Sequence, residues 1–388
     1  MAAHVVVPGV VLYLLGLSAV LLRWNAVRYR KKGLPPGTMG WPIFGEIKEF
    51  LQLGPNFMKN KFARYGSFFK THILGCPTIV STNPEINRYI LMKESKGLIP
   101  GYPQSMLDIL GRSNIGAVHG STHKYLRAAL VSLMSPPMIR DQVLPKIDQV
   151  LRSHMAFLLG LKQIAGIESG PMSEEVKPDL VKLVLGTISI PINLPGTNYH
   201  RGLQLIDRMI TILNSRYETV STTSMMTVKY LHDHPEALRQ LREEHLEIRG
   251  RERAEDPIEW EDLKSMQFTR AVIYETLRLA TVVNGVFRKT TQDMELNGFT
   301  IPKGWRIYVY IREMNHDPHQ YPDLLSFIPW RWLVLPGRLW VTEISTFLHY
   351  SVTRYRWEEV GENKIVKFPR VAAPNGLHIR VENLNKLD

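Results

Sequence analysis

One cysteine, Cys76, stands in 388 residues. No intrachain disulfide can therefore cross-link this chain, and its fold rests on burying apolar surface. With 44% hydrophobic residues there is enough of it for one large domain or two. A lone thiol also fits a chain that faces a reducing compartment. The 48 Lys and Arg against 36 Asp and Glu leave a net charge of +12. Such a surface attracts nucleic acid, an anionic membrane or an acidic protein. No zinc-finger spacing or concentrated basic tract selects nucleic acid, so none is expected as a partner.

The N-terminus favours the membrane. Val5 to Leu22 is almost wholly apolar and uncharged, and Arg23, Arg28, Arg30, Lys31 and Lys32 follow it. That length is close to the minimum for a spanning helix, roughly 17–25 residues. A cleaved signal peptide would carry its charges before the apolar run and a small-residue site after it. Here the charges follow, with Trp24 at the boundary. The expectation is an anchor over 1–22, a basic and Pro-rich linker over 23–40 and a catalytic-type domain over 41–388 that stays cytosolic. Leu34-Pro35-Pro36-Gly37 excludes helix and reads as a stiff spacer holding the domain off the membrane.

Beyond the linker, Asn56–Tyr65 is helical and Phe68–Ile73 and Thr78–Ser81 read as strands turned by Gly75-Cys76-Pro77. Helical patterns follow over 112–160, Leu205–His232 (stopped by His234-Pro235), Glu236–Arg249 and Leu263–Ala280. Asn193–Arg201 is loop. Asp293–Ile301 is a hairpin, with Asn297-Gly298 supplying the positive φ angles of a tight turn. Gly304–Tyr310 is a strand, Phe327–Trp332 an aromatic meander broken by proline, Glu343–Tyr355 a helix and 367–381 a strand-rich tail. The order predicts a mainly α protein with a smaller β portion.

Glu275-x-x-Arg278 places opposite charges on one helix face. Alone such a pair is a solvated contact of a few tenths of a kcal/mol, and Glu85–Arg88 and Glu236–Arg239 share the spacing. This one differs in its apolar surroundings, Ala271, Val272, Ile273 and Leu279. A buried guanidinium–carboxylate pair needs a further partner, and Arg331 in Phe327-Ile-Pro329-Trp-Arg331-Trp332 is a candidate. Glu218-Thr219 sets an acid beside a hydroxyl in a long helix. The pair is either a polar stripe or a proton-delivery couple. His123 and Arg127, at i and i+4, and Arg288, in an apolar run, are cations able to hold carboxylates. His232-x-His234 lacks a third ligand, so no metal site is assigned from it. There is no Walker A, dinucleotide fingerprint or nucleophile elbow.

In this order the anchor, Leu34-Pro-Pro-Gly37, Ser215 to Ser221, Glu275-x-x-Arg278, Phe327-x-Pro-x-Arg331-Trp332 and the β-rich tail resemble a membrane-anchored cytochrome P450. Finer texture is similar to the plant brassinosteroid C-6 oxidase branch. It lies in Arg23-Trp-Asn-x-Val-Arg-Tyr29, Gly37-Thr-Met-Gly-Trp-Pro42, Gly101-Tyr-Pro-Gln-Ser-Met-Leu-Asp-Ile-Leu110, Tyr217 to Met226 and Phe368-Pro-Arg-Val-x-x-Pro-Asn-Gly376. The resemblance implies a haem cofactor, with His123, Arg127 and Arg288 holding its propionates. It implies Glu218 and Thr219 as the oxygen-activating pair, and Glu275, Arg278 and Arg331 as a buried structural triad. It further implies a single-pass protein of the endoplasmic reticulum membrane, an NADPH-cytochrome P450 reductase as partner and C-6 oxidation of a 6-deoxo steroid substrate.

The chain departs from that pattern in four places. Between Trp332 and Glu343 stands only Leu333 to Thr342, where the resemblance calls for a glycine-rich loop bearing the iron's cysteine. Leu335-Pro-Gly-Arg338 matches the end of that loop with leucine in the cysteine's place, so no metal ligand is assigned. Segments are also expected to be missing near 154–155 and 204–205, making the fold incomplete. Arg216 stands where the resemblance implies glycine. The expectation for this chain is therefore impaired monooxygenase turnover. Two other readings stay open. One is a non-catalytic truncated isoform, a membrane-anchored binder of sterol or reductase. The other is a steroid side-chain hydroxylase of the same superfamily.

Overall fold

The structure is a computed structural model. It describes Gly16, Val20 and residues 24–42, 44–92, 97–110, 118–133, 135–149, 151–152, 211–250, 256–333, 341–368 and 371–384. The expected anchor, the three expected gaps, the loop at 193–201 and Leu335 lie wholly or largely outside these residues. Among the described residues no helix is long and apolar enough to cross a membrane.

Two units are distinct. The first comprises, among described residues, 24–120 and Gly285–Met314. It holds α1 (Ile47–Leu53), α2 (Pro55–Tyr65), β1 (Phe68–Ile73), β2 (Cys76–Ser81), α3 (Pro84–Met92), β3 (Leu98–Pro100) and α4 (Gln104–Leu110). From the later segment come β4 (Gly285–Thr290), β5 (Met294–Leu296), β6 (Phe299–Ile301) and β7 (Arg306–Tyr310). A five-stranded sheet runs β1-β2-β7-β4-β3, with β2 and β7 parallel. Central β7 is buried on both faces. Ile307 and Val309 enter a core with Ile79, Ile90, Leu98 and Trp305, while Tyr308 stacks on Phe287 across the other face, ring centroids 4.4 Å apart.

Two details of the first unit differ from the sequence expectation, and a third adds to it. The β1–β2 turn is Leu74-Gly75, at φ +51° and +76°, so Cys76 is the first residue of β2, opposite Ile73. The Pro-rich segment, whatever it does at the membrane, also lies along β1. Pro36 O accepts from Lys70 N at 2.8 Å and Gly37 bridges Lys70, because the outer edge of β1 needs acceptors and a proline can still offer its carbonyl. Gly285–Thr290, read only as an apolar run, is a strand between β7 and β3. The β5–β6 hairpin forms around Asn297 and Gly298, at φ +53° and +75°, as their spacing predicts.

The second unit comprises, among described residues, 121–152, 211–284 and 315–384. Its main helices are α5 (Gly120–Leu133), α6 (Thr211–Asp233), α7 (Pro235–Arg249), α8 (Trp260–Ser265), α9 (Gln267–Ala280) and α10 (Thr342–Arg354). Leu231, Leu241, Val272 and Leu348, all fully buried, lie in the core that α6, α7, α9 and α10 share. The stretch expected as one helix over 263–280 is two. At Met266 the chain leaves helical geometry (φ −71°, ψ 70°), and Glu244 of α7 accepts from Phe268 N at 2.6 Å and Thr269 N at 2.9 Å. A carboxylate that answers otherwise orphan amides makes a new helix start favourable there. Residues 329–332 form one turn of 3₁₀ helix rather than a meander. The tail contributes a single strand, β9 (Ile379–Asn383), which pairs with β8 (Tyr355–Glu359) directly after α10.

Candidate functional site

Helix α9 buries most of its circumference, and the i, i+3 spacing sets Glu275 and Arg278 on the same side. Their side chains are 0% and 2% exposed. Glu236 and Arg239, identically spaced, are 65% and 59% exposed, so location separates the two pairs, not sequence. The Arg278 fork is bidentate, Nη2 to Oε1 at 2.7 Å and Nε to Oε2 at 2.9 Å. Its remaining donors reach the carbonyls of Asn315 at 3.0 Å, Leu324 at 2.7 Å and Ser326 at 3.1 Å. Glu275 also accepts from Ile328 N at 3.0 Å and Trp332 Nε1 at 2.7 Å, and Arg331 Nε lies 3.4 Å from Oε1. Tyr321 lies under both guanidiniums, its ring centroid 4.9 Å from Arg278 and 5.7 Å from Arg331. Burial raises the Tyr321 phenol above its ordinary pKa, against the lowering field of Arg278.

Glu275, Arg278 and Arg331 thus meet in one place. The Trp332 indole and the Ile328 amide complete the carboxylate's shell, and spacing alone does not assign them. What the cluster can do chemically is hold: every oxygen of the carboxylate and the fork of Arg278 are committed, so it ties α9 to the 315–332 segment and leaves no proton to move.

The other candidate residues belong to different elements of the two units. His123, half-buried, and Arg127, exposed, sit one turn apart on α5 in the second unit. Arg288 is half-buried on β4 in the first unit, with Nη1 donating to Phe287 O at 3.2 Å. Glu218 and Thr219 are helical in α6. The Glu218 side chain lies outside the described residues, and Thr219 is exposed, with its carbonyl accepting from Thr223 Oγ1 at 2.7 Å. From there hydroxyls step along α6, Thr227 Oγ1 to Thr223 O at 2.8 Å and to Thr276 Oγ1 at 3.2 Å, which stitches α6 to the helix that carries Glu275.

A buried histidine pair in the second unit escapes motif reading. His349 Nδ1 and His245 Nδ1 lie 3.2 Å apart, and His245 Nε2 is 3.1 Å from Thr269 Oγ1. Burial, followed by Arg249, Arg354 and Arg152, pushes His349 down to about 3. Burial and then His349 hold His245 well below its ordinary value. A signal did exist: Ala237, Leu241, His245 and Arg249 recur every four residues and are all buried.

The family described as Cytochrome P450 matches residues 204–339. A "Cytochrome P450 85A" of Phaseolus vulgaris is 57% identical over 99% of this chain and 100% of its own length. The chain belongs to the cytochrome P450 family. Another relative, the "3beta,22alpha-dihydroxysteroid 3-dehydrogenase" of Arabidopsis thaliana, is 31% identical over 92% of this chain and 95% of its own length. A solved cyanobacterial P450, CYP120A1 bound to retinoic acid, superposes with a TM-score of 0.76 at 21% identity over 91% of this chain and 100% of that one, which shows the shared fold. The match to the Phaseolus vulgaris P450 runs over 465 positions while this chain has 388 residues, so at least 465 − 388 = 77 positions of the relative face no residue here.

The cofactor of the family is haem, and P450s hold its iron through a cysteine thiolate. The donor set of this chain does not fit that ligation. Its one thiol, Cys76, opens a strand in the first unit. Positions 333–342 contain no cysteine. Among the described residues no group of three His, Cys, Asp or Glu side chains is placed to hold a metal.

Proposed function

We propose that this P450 belongs to the branch that oxidises C-6 of 6-deoxo brassinosteroids, taking the ring CH₂ to an alcohol and the alcohol to a ketone. Each step would consume O₂ and NADPH-derived electrons delivered by a reductase. The observation that carries the reading is the end-to-end 57% identity to the 85A relative, against 31% to a relative named for a steroid substrate. That ordering supports a steroid as substrate class and the 85A branch within it. The buried Glu275–Arg278–Arg331 cluster, which the resemblance implies as a structural triad, supports the same reading.

An acidic reductase face would dock on a surface that is basic overall, at +12. The apolar run Val5–Leu22 with its basic flank supports anchoring in the endoplasmic reticulum membrane, the domain on the cytosolic side.

The test is a chain whose 333–342 segment is replaced by the corresponding loop of the Phaseolus vulgaris relative. With NADPH, reductase and 6-deoxocastasterone, the expected products are the C-6 alcohol followed by the C-6 ketone. Hydroxylation of the side chain instead would sink the C-6 assignment in favour of a side-chain hydroxylase.

A further inference from the structure

We infer that this chain, as it stands, holds no iron through a thiolate and is a non-oxygenating member of its family, and that the missing thiolate belongs to the segment before α10. The inference rests on the family reading above and deepens it, because the fold's support is present where its reactive centre is not.

Cys76 cannot take the ligand's place. It is paired with Ile73 at the end of six consecutive β1–β2 pairs, Phe68↔Ser81 through Ile73↔Cys76. Strand β2 is fixed on its other side by four parallel pairs to β7, Thr78↔Arg306 through Ser81↔Val309. Arg306, buried beside the hairpin, donates Nη1 to Leu74 O at 3.1 Å, which pins the turn next to the thiol. Delivering this sulfur to a macrocycle would mean unpairing an edge and a central strand together. Among the described residues the buried histidines are also tied down: His72 is held within β1 opposite Pro77. His245 and His349 face one another at 3.2 Å and His245 is held again by Thr269.

The elements on either side of the ligand segment are well packed. Glu275 receives Arg278, Ile328, Trp332 and Arg331, so the 3₁₀ turn that leads into the segment at 334–340 is anchored. Helix α10, which follows it, is buried along most of its length. Both flanks of the segment are therefore built, and what the segment lacks is a side chain with a lone pair for iron. Without thiolate donation, O–O cleavage loses its electronic push.

The full chain, expressed with haem supplied, is examined for haem content and for the Soret band of its reduced, carbon-monoxide-bound form. Cys76→Ala and the loop-restored chain described above run beside it. Expected is complete loss of the thiolate-type band in the parent and in Cys76→Ala, with the band regained in the loop-restored chain. A thiolate-type band in the parent that vanishes in Cys76→Ala overturns the inference. So does a loop-restored chain that still lacks the band, since the loss would then lie elsewhere. A loop-restored chain with the band but without C-6 oxidation leaves this inference standing and sinks only the proposed substrate and reaction.

Discussion

A carboxylate with no water around it needs its lone pairs answered by donors, and Glu275 has them from two arginines, an indole and a backbone amide. Removing one charged partner of such a pair leaves an uncompensated charge in the core, at a cost of about 3–5 kcal/mol. That is a large part of the 5–15 kcal/mol of stability typical of a folded domain. Arg278→Ala is therefore expected to abolish cooperative unfolding or to lower its midpoint sharply in thermal melts. Arg239→Ala, which removes the exposed partner of an identically spaced pair, should leave the midpoint where it is. Equal effects from the two substitutions would mean that the buried cluster is not what holds α9 to the 315–332 segment. The sequence shows both pairs alike. Only the apolar residues around 271–279 and the distant arginine mark one of them, and the carbonyls of Asn315, Leu324 and Ser326 that complete it carry no side-chain signature at all.

On the scale of elements, α7 explains more than its charged composition suggests. Its stripe Ala237, Leu241, His245, Arg249 faces the core, and from the same helix Glu244 starts α9. His245 meets His349 of α10. Both histidines stay neutral when folded, their pKa values depressed chiefly by burial. The unfolded chain titrates them near their ordinary value of about 6.5. Their contribution to stability is thus present above that value and is lost as pH falls, for His349 through the window from about 6.5 down to about 3. The slope is about 1.4 kcal/mol per pH unit for each histidine the unfolded state protonates and the folded state does not. Denaturant midpoints between pH 7.5 and 5 should fall for the parent and fall less steeply for His349→Gln; an unchanged slope would remove the pair from the acid response. Elements whose cause is local were legible here: the Asn297-Gly298 hairpin and the helices ending before Pro235 and starting again at it. Those decided by distant partners were not. The split at Met266 depends on Glu244 more than twenty residues away, the pairing of β8 depends on β9 at the far end of the tail, and the linker lies along β1 because an edge strand needed an acceptor.

For the molecule as a whole, the order of motifs carried the fold class, and the support cluster came with it. The absence of a cysteine from 333–342 is a property of the sequence itself. The propionate-holding role that the resemblance implies for His123, Arg127 and Arg288 has no such local signature, because cations on different elements acquire a common target only through packing. Whole-molecule charge bears on a proposed protein partner whose docking does not depend on iron. A net charge of +12 gives reductase docking a long-range attraction that acts whether or not the chain turns over. Such attraction between exposed charges decays over about 10 Å at 0.1 M salt and about 3 Å at 1 M. Binding of the full chain to the reductase in detergent, followed by biolayer interferometry, is therefore expected to weaken about tenfold or more between low and high salt, chiefly through a slower on-rate. The loop-restored chain should show the same salt dependence, since its docking surface would be the same one. An affinity indifferent to salt would mean that apolar contact rather than charge brings the two proteins together, and the basic surface would then need another partner, with the anionic membrane beside Arg23 and Lys32 the first to test.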